Sequence, residues 1–207
     1  MDYPLTYSVD YPIRSLNRLT TFFRFFVAIP ILIVLGSVSG GTWLSSTGSN
    51  GSVVITASGG LLFFGPLVMI LFRRKYPRWW FDWNRELLRF TNRVAAYLAL
   101  MDDRYPSTDE EQAVHLDIDY PDAQASLNRW LPLVKWLLAI PHFIVLVFLD
   151  VAGVVVVVVA WFAILFTGRY PRGLFDFVQG VIRWHNRVVA YALILATDVY
   201  PPFQLRP

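Results

Sequence analysis

Long runs without charged side chains alternate with short polar segments along this chain. Residues 25–72 contain no Lys, Arg, Asp or Glu, and residues 136–167 contain only Asp150. One helical crossing of a bilayer core about 30 Å thick needs roughly 20 apolar residues. Each run is long enough for two crossings, so the pattern predicts two transmembrane helical hairpins.

Turns divide both runs. Residues 36–52 are rich in Gly, Ser, Thr and Asn, a composition typical of an exposed loop. The second run has one candidate turn, at Asp150–Gly153. The predicted fold class is therefore an all-α membrane protein with four transmembrane helices. These helices are predicted at about 16–35, 53–72, 130–149 and 151–167.

Two further segments, 80–101 and 175–195, have apolar residues at helical spacing and polar residues on the opposite face. Amphipathic helices of this kind lie in the membrane interface, where Trp and Tyr are favoured and Arg can meet lipid phosphates. We predict one cytoplasmic interfacial helix after each hairpin. Polar and apolar residues also alternate at 6–11 and 114–120, which predicts two short strands that could pair with each other.

The second half of the chain repeats the first. Ser15–Arg18 recurs as Ser126–Arg129, 111 residues later, and Asn92–Val94 recurs as Asn186–Val188, 94 residues later. Both repeats cross the membrane twice in this scheme, so they start on the same side and are predicted to be parallel, around a pseudo-twofold axis. The predicted organisation is a first repeat at 1–106, an acidic linker at 107–113 and a second repeat at 114–207.

Composition agrees with a membrane protein, since 56% of residues are hydrophobic and 16% are charged, against about 25% charged in soluble domains. All 18 Lys and Arg lie on one side of the predicted hairpins, and cytoplasmic flanks accumulate these residues. Both termini are therefore predicted to be cytoplasmic. This bias explains the net charge of +3 without a nucleic-acid partner. The lack of Cys excludes disulfides, and the N-terminal residues do not resemble a cleavable signal peptide.

The motifs of the second half carry a resemblance to a known family. Residues 139–142 (Ala-Ile-Pro-His), residues 161–172 and the Asp198–Pro202 motif resemble the bacterial membrane family called domain of unknown function 4389 (DUF4389). The resemblance covers nearly the whole chain as a tandem pair, although Ile31 stands where the second copy has His142. It implies a multi-pass protein of the bacterial cytoplasmic membrane and no particular activity.

Five arginines form stripes at i, i+4 spacing, which presents neighbouring guanidinium groups on one helix face. They could bind anionic lipid headgroups or the carboxylates of a partner, or they could pair with acidic residues of their own repeat. Arg suits bidentate pairing with phosphate and carboxylate alike, so both interpretations stay open. The candidate lipid- or partner-binding residues are Arg85, Arg89, Arg93, Arg183 and Arg187.

His142 is the candidate polar residue inside a predicted membrane span, where an ionisable group is a functional candidate by default. The structural alternative is a hydrogen bond to a backbone carbonyl that Pro141 leaves free. Asp150 lies eight residues later, about 12 Å along a helix, which is too far for a direct pair with His142.

The sequence predicts no catalytic residue, cofactor or metal site, because it has no nucleophile elbow, no phosphate-binding loop and no metal-ligand spacing of its three His. The leading hypothesis is a noncatalytic accessory or scaffolding subunit that binds a membrane protein complex or lipids through its cytoplasmic face. A homo-oligomer is compatible with this hypothesis. The alternatives are a small transporter or channel that uses His142 and, less favoured, a lipid-modifying enzyme.

Overall fold

A two-stranded antiparallel sheet connects the two halves of the chain. β1 (Leu5–Val9) pairs with β4 (Val114–Ile118), and Tyr7 lies opposite Leu116. Alternate side chains of both strands are buried, as the period of two in the sequence predicts. The computed structural model describes residues 3–39, 42–46, 53–57, 64–108, 110–123 and 125–206.

The described residues contain six α-helices. They are α1 (Arg18–Ser39), α2 (Phe64–Val68), α3 (Arg78–Leu98), α4 (Lys135–Leu138), α5 (Ile140–Thr167) and α6 (Arg172–Ala192). A π-helical turn at Met69–Arg73 continues α2, and a 3-10 turn at Leu131–Leu133 precedes α4. A second antiparallel strand pair, formed by Thr42–Ser46 (β2) and Val53–Ala57 (β3), follows α1.

Short-range chemistry determines where several helices begin and end. The side-chain oxygen of Asn17 accepts a hydrogen bond from the Leu19 N–H at 2.9 Å, so Asn17 caps the start of α1. Pro77 and Pro171 precede α3 and α6, and their extended conformation starts each helix. Gly168 ends α5 in the left-handed region, at φ 73°.

Each strand of the sheet packs against a helix of the opposite half. β1 contacts α6, and β4 contacts α3, while α3 lies along α1 and α6 lies along α5. The main apolar core combines the buried strand side chains with aromatic residues of both halves, among them Tyr76, Phe81, Tyr170 and Phe175. The two halves therefore share one core.

The prediction of two helices at 130–149 and 151–167 is wrong, because α5 runs without a break from Ile140 to Thr167. Asp150 does not form a turn. Its carboxylate lies on the side of α5, with Oδ2 3.4 Å from Nε2 of His185 on α6. Gly153 is tolerated inside the helix because a single helical Gly costs only about 1 kcal/mol.

The predicted helix at 53–72 is also wrong. Residues 53–57 form β3, and helical structure is described only from Phe64 to Arg73. The β-branched sequence Val53-Val54-Ile55-Thr56 explains the strand, since such side chains lose rotamer freedom in a helix. Parts of the predicted loop 36–52 and of this helix, at 40–41, 47–52 and 58–63, lie outside the described residues.

The predicted all-α class, with four transmembrane helices in two hairpin repeats, is therefore incorrect. Within the described part of the chain, α1 and α5 are the helices long and apolar enough to cross a membrane. The inference that all 18 Lys and Arg lie on one side depended on a turn at Asp150. A continuous α5 of 28 residues is about 42 Å long. Lys135 and Arg169 therefore lie beyond opposite ends of one helix, and the basis for placing all of these cations on one side is lost.

The continuity of α5 predicts the effect of Gly153→Ala. An added Cβ would meet no atom within 4 Å, so the substitution should stabilise the fold by about 0.5–1 kcal/mol through better helix propensity. The thermal unfolding midpoint of the purified chain in detergent measures this effect.

The control is Gly168→Ala, which should destabilise the chain because Gly168 has φ 73°. A Gly153→Ala variant that unfolds at a lower temperature than the wild type would contradict the continuous helix and indicate a turn.

Candidate functional site

A buried arginine joins α1 to the segment after α3. The Arg24 side chain is 1% exposed and forms an ion pair with Asp103. Its NH1 group donates hydrogen bonds to the backbone carbonyls of Tyr97, at 3.0 Å, and Asp102. The guanidinium carbon also lies 4.3 Å from the centroid of the Tyr97 ring, a cation–π contact. Arg24 is thus surrounded by acceptors inside the fold.

Lys135 makes the corresponding contacts in the second half, 111 residues later. Its ammonium group is fully buried, 2.7 Å from the Asp198 carboxylate and 2.7 Å from the Thr197 carbonyl. It lies 5.1 Å from the centroid of the Tyr191 ring. Burial lowers the pKa of Lys135, and the hydrogen bond to Asp198 opposes this shift.

Both aspartates also accept a hydrogen bond from a backbone N–H group. Asp103 accepts a hydrogen bond from the Asn17 N–H at 2.7 Å, and Asp198 accepts one from the Asn128 N–H. Each carboxylate therefore connects a buried cation to the residue that precedes an apolar helical segment. Sequence reasoning missed these pairs. The signal was available, because the offset that aligns the two halves also aligns Arg24 with Lys135.

Two of the five predicted binding arginines lie at the surface. Arg85 contacts Asp82 at 3.6 Å and Glu86 at 3.3 Å. Arg89 contacts Glu86 at 2.8 Å and donates from Nε to the Leu116 carbonyl of β4 at 2.8 Å. Their side chains are about one-third exposed, so they can still reach a ligand.

The other three arginines are buried and bind backbone carbonyls. Arg93 donates to Ser107 and Thr108, both at 3.1 Å. Arg183 and Arg187 hold β1 and the segment near residue 205 against α6, and burial lowers the pKa of both side chains. Arg183 donates to Tyr7 at 3.0 Å and Leu205 at 2.9 Å, and Arg187 donates to Gln204 at 3.3 Å and Arg206 at 3.1 Å.

An open polar groove of about 280 Å³ lies beside Arg89, over the exposed face of the β1–β4 sheet. It contains both cationic and acidic side chains, so a polar ligand fits it better than an apolar one. Arg93 is one of the lining residues, and its Nε–H is buried and has no acceptor among the described residues. The lining residues are Thr6, Ser8, Arg89, Arg93, Glu111, Val114, His115, Leu116 and Asp117.

His142 lies in the first turn of α5, inside a cluster of aromatic side chains. The Trp184 indole N–H donates to His142 Nδ1 at 3.0 Å, and the imidazole stacks on Phe203 with centroids 4.0 Å apart. The Tyr200 ring centroid is 4.8 Å away. The hydrogen bond to a backbone carbonyl that we expected is thus replaced by one from Trp184, and Nε2 has no partner among the described residues.

No group of three or more His, Cys, Asp or Glu that could hold a metal ion occurs within the part of the chain that the structure describes. The fold and these contacts define a class of protein with two long, apolar and mostly exposed helices and two packed helices. Buried ion pairs join α1, and the segment before α5, to the chain that follows each packed helix.

Residues 129–204 match the sequence model of a family described as "Domain of unknown function (DUF4389)". The chain is therefore similar to this family over residues 129–204, within the half of the chain that carries the resemblance most clearly. This range includes Lys135, His142 and Asp198. No curated protein and no solved structure matches the chain.

The buried pair predicts a strong effect of Lys135→Met. Removal of the cation leaves the Asp198 carboxylate without its buried partner, so the chain should lose about 3 kcal/mol of unfolding free energy. Urea unfolding of the purified chain in detergent, followed by Trp fluorescence, measures the loss.

The double variant Lys135→Met with Asp198→Asn should recover part of the loss, because no unpaired charge remains. Lys75→Met is the control, since Lys75 is exposed. A single variant as stable as the wild type would show that the pair does not hold the fold together.

Proposed function

We propose that this chain is a noncatalytic membrane protein that acts as an accessory or scaffolding subunit for a partner protein. In this proposal α1 and α5 cross the membrane. Their most apolar 18-residue windows are only 22% and 17% buried within the structure, so most of this surface is available to lipid. The family resemblance favours a multi-pass protein of the bacterial cytoplasmic membrane.

We also propose that the chain contains a tandem repeat, and matched contacts support it. The Tyr11 hydroxyl donates to the Tyr170 carbonyl, and the Tyr120 hydroxyl donates to the Tyr76 carbonyl. Asn92 and Asn186, which are matching positions, exchange two amide hydrogen bonds at 2.8 and 2.7 Å. A repeat matters for function because it gives two related surfaces that have diverged.

The observation that carries the partner-binding proposal is the difference between these two surfaces. In the second half, Arg183 and Arg187 hold the backbone of residues 204–206. In the first half, Arg93 likewise holds the backbone of residues 107 and 108, whereas the surface at Arg89, which matches Arg183, is the open groove. An arginine surface that binds backbone carbonyls of its own chain in one half is suited to bind backbone carbonyls of another protein in the other half.

α6 has Gly180 where α3 has Glu86 at the matching position, and this difference explains why the two surfaces differ. Leu205 packs so closely on Gly180 that an added Cβ would lie 2.9 Å from it. Glu86 occupies the matching position in α3 and pairs with Arg89. The Glu86 side chain excludes packing as close as that of Leu205 on Gly180, so the two surfaces cannot bind a segment in the same way.

The other candidate functions have less support. His142 is fully buried and packed between Trp184 and Phe203, so it does not line a path that a solute could follow. The transporter or channel hypothesis therefore gains no observation from the structure. Lipid binding by Arg85 and Arg89 remains compatible with their exposure, and the partner interface and lipid can share this edge of α3.

A photo-crosslinker placed at Ser8 tests the groove directly. Ser8 is exposed, lines the groove and has no described side-chain hydrogen bond to lose. We expect a discrete crosslink to one protein in intact membranes. The bulky Ser8→Trp variant should fill the groove and reduce recovery of that same protein at least tenfold.

The matched control is a crosslinker at Asp119, which is exposed beyond the end of β4 and does not line the groove. The proposal fails if Ser8 gives no crosslink above this control, or if Ser8→Trp recovers the crosslinked protein as well as the wild type.

A further inference from the structure

The turn after the π-helix concentrates positive charge. Arg73, Arg74 and Lys75 are consecutive and all exposed. Within the ranges that the structure describes, their side chains form no ion pair and no hydrogen bond. Arg85, by contrast, is about one-third exposed and contacts Asp82 and Glu86 of its own helix. These three cations are therefore free to bind an anion.

Arg74 adopts an unfavourable backbone conformation. Its φ is 50° and its ψ is 41°, in the left-handed region where a Cβ crowds the backbone. At the matching position of the second half, 94 residues later, Gly168 has φ 73°. Gly adopts this conformation without strain, so stability alone favours Gly at both positions. Non-Gly residues in this conformation cluster at functional sites, and Arg74, unlike Leu100 and Leu195 at φ 65° and 61°, is exposed.

The surroundings of the turn suit a phosphate group at a membrane surface. Arg74 and Lys75 line an open groove of about 450 Å³, together with Tyr76 and Tyr120. Among the described lining residues, Asp122 carries the one carboxylate, which accepts a hydrogen bond from the Ala125 N–H at 3.2 Å. Positive charge therefore exceeds negative charge at the groove.

Exposed aromatic and apolar side chains flank the cations. Phe72 is 69% exposed and Trp79 is 71% exposed, on either side of the turn in sequence. Trp130 is 64% exposed. Its neighbour Arg129 donates a hydrogen bond to the Leu71 carbonyl, so Trp130 lies near the same turn. Trp beside Arg and Lys is typical of the level of lipid headgroups, and this arrangement favours a lipid over a soluble protein ligand.

We propose that Arg73, Arg74 and Lys75 bind the phosphate of an anionic lipid headgroup. The proposal rests on the membrane attachment proposed above and is independent of the partner groove. The matching turn, Thr167–Arg169, has one cation and a Gly, so the site belongs to the first half only. One face of the protein thus recognises lipid charge while α5 and α1 contact the apolar core.

The test is a titration of the full chain with phosphatidylglycerol in phosphatidylcholine-containing detergent micelles. Native mass spectrometry counts the bound phosphatidylglycerol, and thermal unfolding records stability. Arg74→Gly should bind it about fivefold more weakly, because each interfacial cation contributes about that factor. Without phosphatidylglycerol, the same variant should unfold about 2–4 °C higher, because Gly relieves the strain.

Arg169→Gln is the matched control, since it removes an exposed cation from the turn of the second half. It should bind phosphatidylglycerol within about twofold of the wild type. Equal binding by Arg74→Gly and wild type, or an equal loss in Arg169→Gln, would overturn the site. Displacement of the lipid by millimolar inorganic phosphate would assign the turn to a soluble anion and overturn the lipid headgroup.

A separate arm distinguishes this site from membrane attachment. Wild type and Arg74→Gly should both float with pure phosphatidylcholine vesicles, because α1 and α5 are unchanged. Failure of the wild type to float would overturn the proposed membrane protein. Flotation of both proteins with unchanged phosphatidylglycerol affinity would overturn the headgroup site alone.

Discussion

Two buried cations impose the constraint on which the rest of the structure depends. A buried charge is costly unless a counter-charge or hydrogen bonds compensate it, and loss of one member of a buried ion pair leaves the other uncompensated. Arg24 needs Asp103, and Lys135 needs Asp198. These pairs fix the start of each apolar helical segment to the chain that follows α3 or α6. The same aspartates bind the backbone of Asn17 and Asn128, so the chain that leads into each segment is fixed as well.

The strands connect the two halves once the start of each apolar segment is held in place. β1 packs on α6 and β4 packs on α3, and Arg183 and Arg89 each bind a backbone carbonyl of the strand from the opposite half. One face of α1 packs on α3 and one face of α5 packs on α6, while the remaining surface of both helices stays exposed and apolar. A soluble protein rarely leaves so much contiguous apolar surface uncovered, which is the physical reason to propose a membrane environment.

Much of the local structure could be predicted from the sequence, because it follows from periodicity. Alternation predicted β1 and β4, and helical spacing predicted a helix near 80–101 and another near 175–195, where α3 and α6 lie. The continuous α5 could not be predicted, because the partner of Asp150 is His185, which is 35 residues away in sequence and meets it only in the fold. Composition alone made Asp150 and Gly153 resemble a turn.

The candidate site was predicted less well for the same reason. The arginine stripes were found by spacing, but spacing does not show that Arg93, Arg183 and Arg187 are buried against carbonyls. The strain at Arg74 is visible only in the backbone, although the contrast between Arg74 and Gly168 was present in the sequence. Alignment of the two halves relates these residues in two ways. It matches Arg24 with Lys135, and it shows the difference between Arg74 and Gly168.

The central claim is that α5 is one continuous helix that crosses a membrane, and cysteine accessibility tests it most directly. The chain has no native Cys, so single Val147→Cys, Val154→Cys and Arg104→Cys variants can be labelled in sealed vesicles with a membrane-impermeant maleimide. We predict that the cysteines at 147 and 154 are protected until detergent is added, whereas the one at 104 reacts from one side. Rapid labelling at 154 with protection at 147 would indicate an exposed turn and contradict a continuous membrane-spanning α5.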